Sequence, residues 1–488
     1  MTFGSKSANT ETLVPTGSSP ITGIGLAWAI TGLIHLLTFQ WTLPTSWSGA
    51  VFCFSTILLL FKPSSFRHLT IFLASVAILL GLNYENASNH LVLEFWISAS
   101  SLLSISYHFL IFDRTKRREL SILSIAAFAR LQYLLIFFFA VLSKLNSDFF
   151  DPDWSCASLF AKQTIEFLKL DTISFGLLDP SRESIRISAI YLTLTCEIAI
   201  PCLLIAKKTR RLGIYVALAF HFAMGFIPIL GISSFSSLSF TLLLFFFPRS
   251  ALSLLDSNIS SIVAPFRRRR ATKAACSLIV LLTLSLAIYL HQSYFHPAVT
   301  PIAKWLWLSL SLPLLWLAFR ALRATHPNRQ DQEPAKDHFL PQPRTLASLN
   351  LPVVILGLLP YLGLQTQGSF TMFSNLRILG AQPNLFLANG PLLESNLELI
   401  EVLSSNHPEF ESYPNSNKLI TSHEFRRKAP RYNGDFHILC EYQGEIILIG
   451  RFEGQLTPHP LLLPLSPAVT RWIRFRDVST NEHCECAW

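Results

Sequence analysis

Charge is scarce in this sequence. Of its 488 residues only 14% are Asp, Glu, Lys or Arg, whereas 51% are hydrophobic and the mean hydropathy is +0.42. An ordinary soluble domain carries about 25% charged residues, so this shortage excludes one as the main architecture. The eight cysteines are scattered and form no C-x-x-C pair, which excludes a zinc ribbon or a thioredoxin-type framework. A cleavable leader is lacking too. Residues 1–20 are polar with a single cation, Lys6, and the first apolar run starts too late and has no small-residue cleavage site. They are expected to be a disordered cytoplasmic tail before an uncleaved span. The net charge of +9 does not point to nucleic acid, because the cations sit in short loops between apolar segments. No internal repeat is visible.

What is present is a recurrence of apolar stretches of bilayer-crossing length. Eleven candidate spans run over 21–40, 46–61, 69–83, 90–112, 121–144, 184–206, 212–230, 233–248, 274–292, 303–323 and 350–364. Phe61-Lys62-Pro63 ends one of them, and Pro228 and Pro313 are candidate kink sites. One alternating set of loops holds twenty-one cations, among them Arg114, Lys116–Arg118, Lys207–Arg211 and Arg267–Arg270. The other set, 41–45, 84–89, 231–232 and 293–302, holds none, and the longer 145–183 has only Lys162, Lys169 and Arg182. The positive-inside rule then places the N-terminus in the cytoplasm and residues 365–488 outside.

The outer segment 145–183 is too polar to span, and Ser158–Leu170 is predicted as a short amphipathic helix lying on the membrane surface. In 365–488, ILCEYQGEIILIGRF reads as two strands around Gln443-Gly444, and LLESNLELIEVL as one helix. The expected fold is an all-α polytopic membrane bundle with a small α+β extracytoplasmic domain.

Ionisable groups inside spans are costly and face the protein interior. Here they are His35, Glu94, His108, Arg130, Lys144, Glu197 and His221. Lys144 closes the fifth span on the outer side. It is either a snorkelling interface cation or a desolvated amine able to act as a general base. Among the outer span ends only Lys304 matches it in charge. Arg130 lies about 21 Å lower on the same helix at 1.5 Å per residue and within about 40° of the same face, so it braces Glu197 or a backbone carbonyl instead. His90 opens the fourth span at the depth of Lys144, with Glu94 one turn further in. Glu197 and His221 are expected to bond to each other or to Arg130. His35 and His108 have no partner that the sequence names.

Asn89-His90, then ARLQYLLIFFFAVLSKLNSDF, then EIAIPCLLIAKKTRRLGIYVALAFHFAMGF in that order resemble the transmembrane domain of vitamin K-dependent gamma-carboxylase. That domain is also called the horizontally transferred transmembrane (HTTM) domain, and the resemblance covers roughly residues 20–300. It implies chemistry at the outer face. In that family a lysine deprotonates reduced vitamin K, and oxygen converts the hydroquinone to its epoxide through a strongly basic alkoxide. The alkoxide takes the γ-proton of a glutamate, and carbon dioxide adds. By this resemblance Lys144 is the base and His90 stabilises the reacting centre. Arg130, Gln132, Glu197 and His221 orient the cofactor, which is reduced vitamin K or menaquinone. The partners implied are the lipid bilayer, the quinone and a glutamate-containing peptide. An apolar lining for the amine is available from Phe137–Phe139, Phe149, Phe150 and Trp154. GSFTMFSNLR, Gly368–Arg377, sits where the carboxylases carry a comparable piece.

The alternatives are a non-catalytic accessory factor for maturing or exporting a secreted peptide, and a transporter. The tail HCECAW offers His483, Cys484 and Cys486. These are too few for a metal centre on their own, and disulfides to Cys156 or Cys440 are favoured in an oxidising compartment.

Overall fold

The computed structural model describes residues 21–268, 299–325, 339–380, 383–387, 390–392, 398–480, 483 and 486. The candidate span at 274–292 lies outside them. The chain is mostly helical, with one antiparallel sheet near its C-terminal end.

The helical body comprises α1 (Thr22–Thr38), α2 (Trp47–Phe61), α3 (Phe66–Leu82), α4 (Asn89–Ile111), α5 (Arg114–Lys144), α6 (Cys156–Leu168), α7 (Glu183–Ile205), α8 (Arg210–Met224), α9 (Leu230–Leu243), α10 (Arg249–Arg268), α11 (Val299–Ala324) and α12 (Leu351–Leu358). Local chemistry sets their limits. Ser46 and Ser65 cap α2 and α3 through Gly49 N–H and His68 N–H, and Lys62-Pro63 stops α2 as expected. Pro228 falls between α8 and α9 and separates them, while Pro313 lies inside α11.

Consecutive helices pack in antiparallel fashion: α1 on α2, α3 on α4, α4 on α5, and α7 on both α5 and α8. Two helical stretches, Lys116–Lys144 and Glu183–Ile205, are long and apolar enough to cross a membrane, and several shorter helices are apolar throughout. Hydroxyls share the apolar core, and large apolar side chains also cover the outside. Ser98, Ser101, Ser104, Ser234, Ser236 and Ser239 are buried, while Leu110, Phe138, Leu192 and Trp305 are 84%, 58%, 65% and 70% exposed.

Residues 249–268, expected as a loop, form the helix α10. Its Asp256 accepts from Thr22 N–H and Gly23 N–H, which ties it to the start of α1. Its polar face hid it from a search for continuous apolar runs. Residues 344–358 climb back along α4 and α5, and α12 comes close enough that a side chain at Gly357 would overlap the Phe139 ring.

The sheet has strand order β5-β4-β3-β1-β2-β6, from β1 (Leu399–Ser405), β2 (Lys418–Thr421), β3 (Phe436–Tyr442), β4 (Glu445–Phe452), β5 (Gln455–Leu456) and β6 (Val478–Ser479). The predicted hairpin is present, with Tyr442 opposite Glu445 and both turn residues, Gln443 and Gly444, at positive φ. The expected helix over LLESNLELIEVL is corrected: 399–405 is a strand. Ile400 and Val402 alternate inward with Glu401 and Leu403 outward, so the twofold period prevails over the helix propensity of Leu and Glu. A short helix, α13 (Ser422–Lys428), closes the domain core around Phe410, Phe425, Ile438 and Ile449.

His407 is enclosed in this domain by Phe410, Tyr432 and Phe436, with ring centroids 4.8–5.1 Å away, and burial holds its pKa below 6.5. Burial lowers that of His423 as well. The unfolded chain therefore binds more protons below that value, and stability rises with pH until the unfolded histidine is neutral. The protection factors of β3 amides, after correction for the intrinsic exchange rate, are expected to fall between roughly pH 7.5 and pH 5, and His407→Leu should flatten that dependence.

Candidate functional site

The end of α5 carries Lys144, and the backbone turns sharply after it. Asn146, fully buried, enforces the turn: its Nδ2 donates to Ser143 O and Ser374 O, and its Oδ1 accepts from Phe149 N–H. The lysine folds inward and is 2% exposed. Its Nζ donates to Ala140 O at 3.4 Å and Met372 O at 3.2 Å, and it pairs with Glu197 of α7 at 3.0 Å. Phe149 supplies a ring face 5.8 Å from the nitrogen. The snorkelling alternative is thereby excluded, and so is a solitary amine among aromatic rings. Of the aromatic residues proposed to line it, Phe138 points outward and Phe137 packs against Tyr133 and His221.

Met372 belongs to Gly368–Arg377, and this segment holds the site together. It is buried almost throughout, with Phe370, Phe373 and Asn375 in the left-handed region that non-glycine residues seldom adopt. Phe370 N–H donates to Asn89 Oδ1 at the start of α4, and Asn375 bonds Cys156 N–H and Trp154 O at the start of α6. A single residue, Thr371, separates the contact with Asn89 from the contact with Lys144. The ends of α4 and α5 are thus joined through one short strand of backbone. Behind α6, Cys156 is disulfide-bonded to Cys486.

His90 faces away from this strand. Its Nε2 bonds Ser234 Oγ of α9 at 3.0 Å and its Nδ1 bonds Ser88 Oγ at 3.1 Å. Ser234 Oγ in turn lies 2.8 Å from His35 Nδ1, and His35 Nε2 lies 2.7 Å from Glu94 Oε2. Phe235 packs between His90 and His221, with centroids 5.8 and 5.1 Å away.

No family model, no curated protein and no solved structure matches this chain.

The remaining candidates separate into different neighbourhoods. Glu197 does not meet Arg130 or His221, contrary to expectation. Lys144 takes it, because α7 runs beside α5 and brings the carboxylate to that end. His221 Nε2 bonds Tyr133 Oη at 3.1 Å, while Arg130 Nε donates to Phe245 O at 2.6 Å, the carbonyl-bracing role expected of it. Gln132 donates to Ser100 Oγ and Asn350 Oδ1. His108 bonds Gln342 O and Ser121 at the opposite end of the bundle.

Sequence reasoning named His35 without its partners and missed Ser234 and the use of Lys304, which is 3% exposed and donates to Gly225 O, Ile229 O and Ser233 Oγ. These partners lie far apart in the chain, and only the packing of α9 against α1, α4 and α11 reveals them. His483 stacks on Trp154 and bonds Asp148, and Cys484 lies outside the described residues. No group of three His, Cys, Asp or Glu suited to a metal ion occurs among the described residues.

Proposed function

We propose that this protein is a polytopic membrane enzyme that removes a proton from a reduced quinone at its outer end, with epoxidation of the quinone and carboxylation of a glutamate as the coupled chemistry. The observation that carries this reading is the buried Lys144–Glu197 pair beside the outer end of α5. Three further features support the membrane topology, with about eleven spans, a cytoplasmic N-terminus and an external C-terminal domain. Hydroxyls face inward and large apolar side chains outward, as in a bundle solvated by lipid. The cation-poor loop at 84–89 and residues 365–480 meet at one end, through Tyr84 on Trp472 and Arg431 on Glu85. The disulfide joins two segments that loop charge assigns to the same, oxidising side.

Reduced vitamin K or menaquinone would supply two acidic hydroxyls and the reducing power for oxygen. Donors that could meet such a diol are available: Ser369 Oγ, in the segment that carries Met372, and Tyr361 Oη, which packs near Leu142 of α5, are buried with no hydrogen-bond partner among the described residues. Lys144 Nζ and the Glu197 carboxylate lie 3.0 Å apart, so the proposed proton acceptor is the pair rather than the amine alone. The Phe149 ring covers the nitrogen at 5.8 Å.

Purified protein given reduced quinone and oxygen is expected to form epoxide, and Lys144→Met combined with Glu197→Gln to lower the rate by about 10²–10⁴-fold with the melting temperature retained. Equal rates would remove the pair from catalysis. The competing reading is an accessory factor without catalysis, favoured by the three acceptors that saturate the Lys144 ammonium. Epoxide from neither protein would establish it.

A further inference from the structure

The groups around His90 form a single unbranched chain. Ser88 Oγ, His90, Ser234 Oγ, His35 and Glu94 are linked by four contacts of 3.1, 3.0, 2.8 and 2.7 Å. All but Ser88 are at most 4% exposed. Each imidazole spends both ring nitrogens on the chain, and the Ser234 hydroxyl stands between the two rings as donor to one and acceptor from the other. Lys304 does not compete for it, since that amine goes to the neighbouring Ser233.

Two arrangements of this chain run every donor in one direction along it. In the first, Glu94 is ionised: Ser88 donates to His90 Nδ1, His90 Nε2–H to Ser234, Ser234 to His35 Nδ1, and His35 Nε2–H to Glu94. In the second, Glu94 is protonated and every donor is reversed. The two differ by one proton. With the two imidazoles in opposite tautomers, Ser234 stands between two acceptors, where one link fails, or between two donors, where it accepts from both rings but its own proton points out of the chain and none can pass through it.

We propose that Ser88, His90, Ser234, His35 and Glu94 are a proton relay that carries a proton between the start of α4 and a sealed carboxylate one helical turn deeper. Passage in one direction forms four bonds to hydrogen, on His90 Nδ1, Ser234 Oγ, His35 Nδ1 and Glu94, and breaks four. The broken bonds are on Ser88 Oγ, His90 Nε2, Ser234 Oγ and His35 Nε2. The proton lost by Ser88 is replaced from the external solution, and no imidazolium persists in either end state. Glu94 suits the terminal position. Its Oε1 has no partner among the described residues, and the residue lines a small recess of about 10 Å³ with His35, Trp41 and Thr42. His35, Ser234 and Glu94 are therefore positioning residues for His90.

The relay is read by magic-angle-spinning NMR of [15N]histidine-labelled full-length protein in lipid nanodiscs, without quinone, so its outcome does not depend on the epoxidation assay. Assignment uses His35→Gln and His90→Gln. His35 and His90 are expected to share one tautomer, both protonated on Nε2 or both on Nδ1. Ser234→Ala should lose that correlation, and Ser234→Thr, which keeps the hydroxyl, should restore it. Opposite tautomers in the wild type, an imidazolium at either position, or an unchanged pattern in Ser234→Ala would overturn the relay. The wild-type comparison decides even where Ser234→Ala does not fold.

Discussion

Glu197→Leu alone is expected to destabilise the protein by about 3–5 kcal/mol, and Lys144→Met alone by a similar amount. The double substitution should recover most of the loss. The reason is asymmetry. Lys144 is 2% exposed, and the Glu197 side chain is only 12% exposed. Removing one partner strands a charge in a low-dielectric interior, whereas removing both leaves apolar side chains of similar length in the same volume. Ala140 O and Met372 O cannot neutralise a stranded ammonium, since carbonyls offer dipoles only. Thermal unfolding of the three variants in one detergent forms a double-mutant cycle. Additive losses would show that the two groups do not sense each other, and the ion pair would have to be discarded as an organising contact.

The second large effect belongs to the covalent link. Cys156→Ser with Cys486→Ser is expected to cost about 2–5 kcal/mol, since the bridge closes a very long loop. The sequence separation is 330 residues. The loss should localise, with hydrogen exchange rising first in α6 and around Phe160, Ile227 and Ile232, which pack beside the bridge. The same cysteines report topology. They should resist alkylation in intact cells until an external reductant is added. Alkylation of both without reductant would refute the pairing and remove one support for the assigned sidedness.

Much of the fold was legible because its signals are local. Apolar run length located most of the helices. The Gln443-Gly444 turn could be read for the same reason, since turn chemistry is written in two adjacent residues. The strand at Leu399–Ser405 was not, because leucine and glutamate favour helix until a sheet partner is present, and the β1 partners are β2 and β3, later in the chain. For the site, the place of Lys144 at the end of a span singled it out but left snorkelling and burial open. Its carboxylate partner did not, because choosing among Glu197, His221 and Arg130 requires helix rotation and depth, which run length does not encode. The chain from Glu94 to Ser88 was further out of reach. A serine in an apolar helix carries no signature until histidines from two other helices arrive on either side of it.

One contact bears on how the molecule is made. The backbone oxygen that completes the coordination of the α5 amine comes from a residue synthesised 228 positions later. A growing polypeptide therefore carries this amine without that acceptor through the emergence of seven further helices, α6–α12. Until then only Ala140 and, after α7 emerges, Glu197 attend it. Maturation of this pocket is a late event, timed by arrival of the stretch that threads back between the helix ends and not by insertion of the helix that carries the amine.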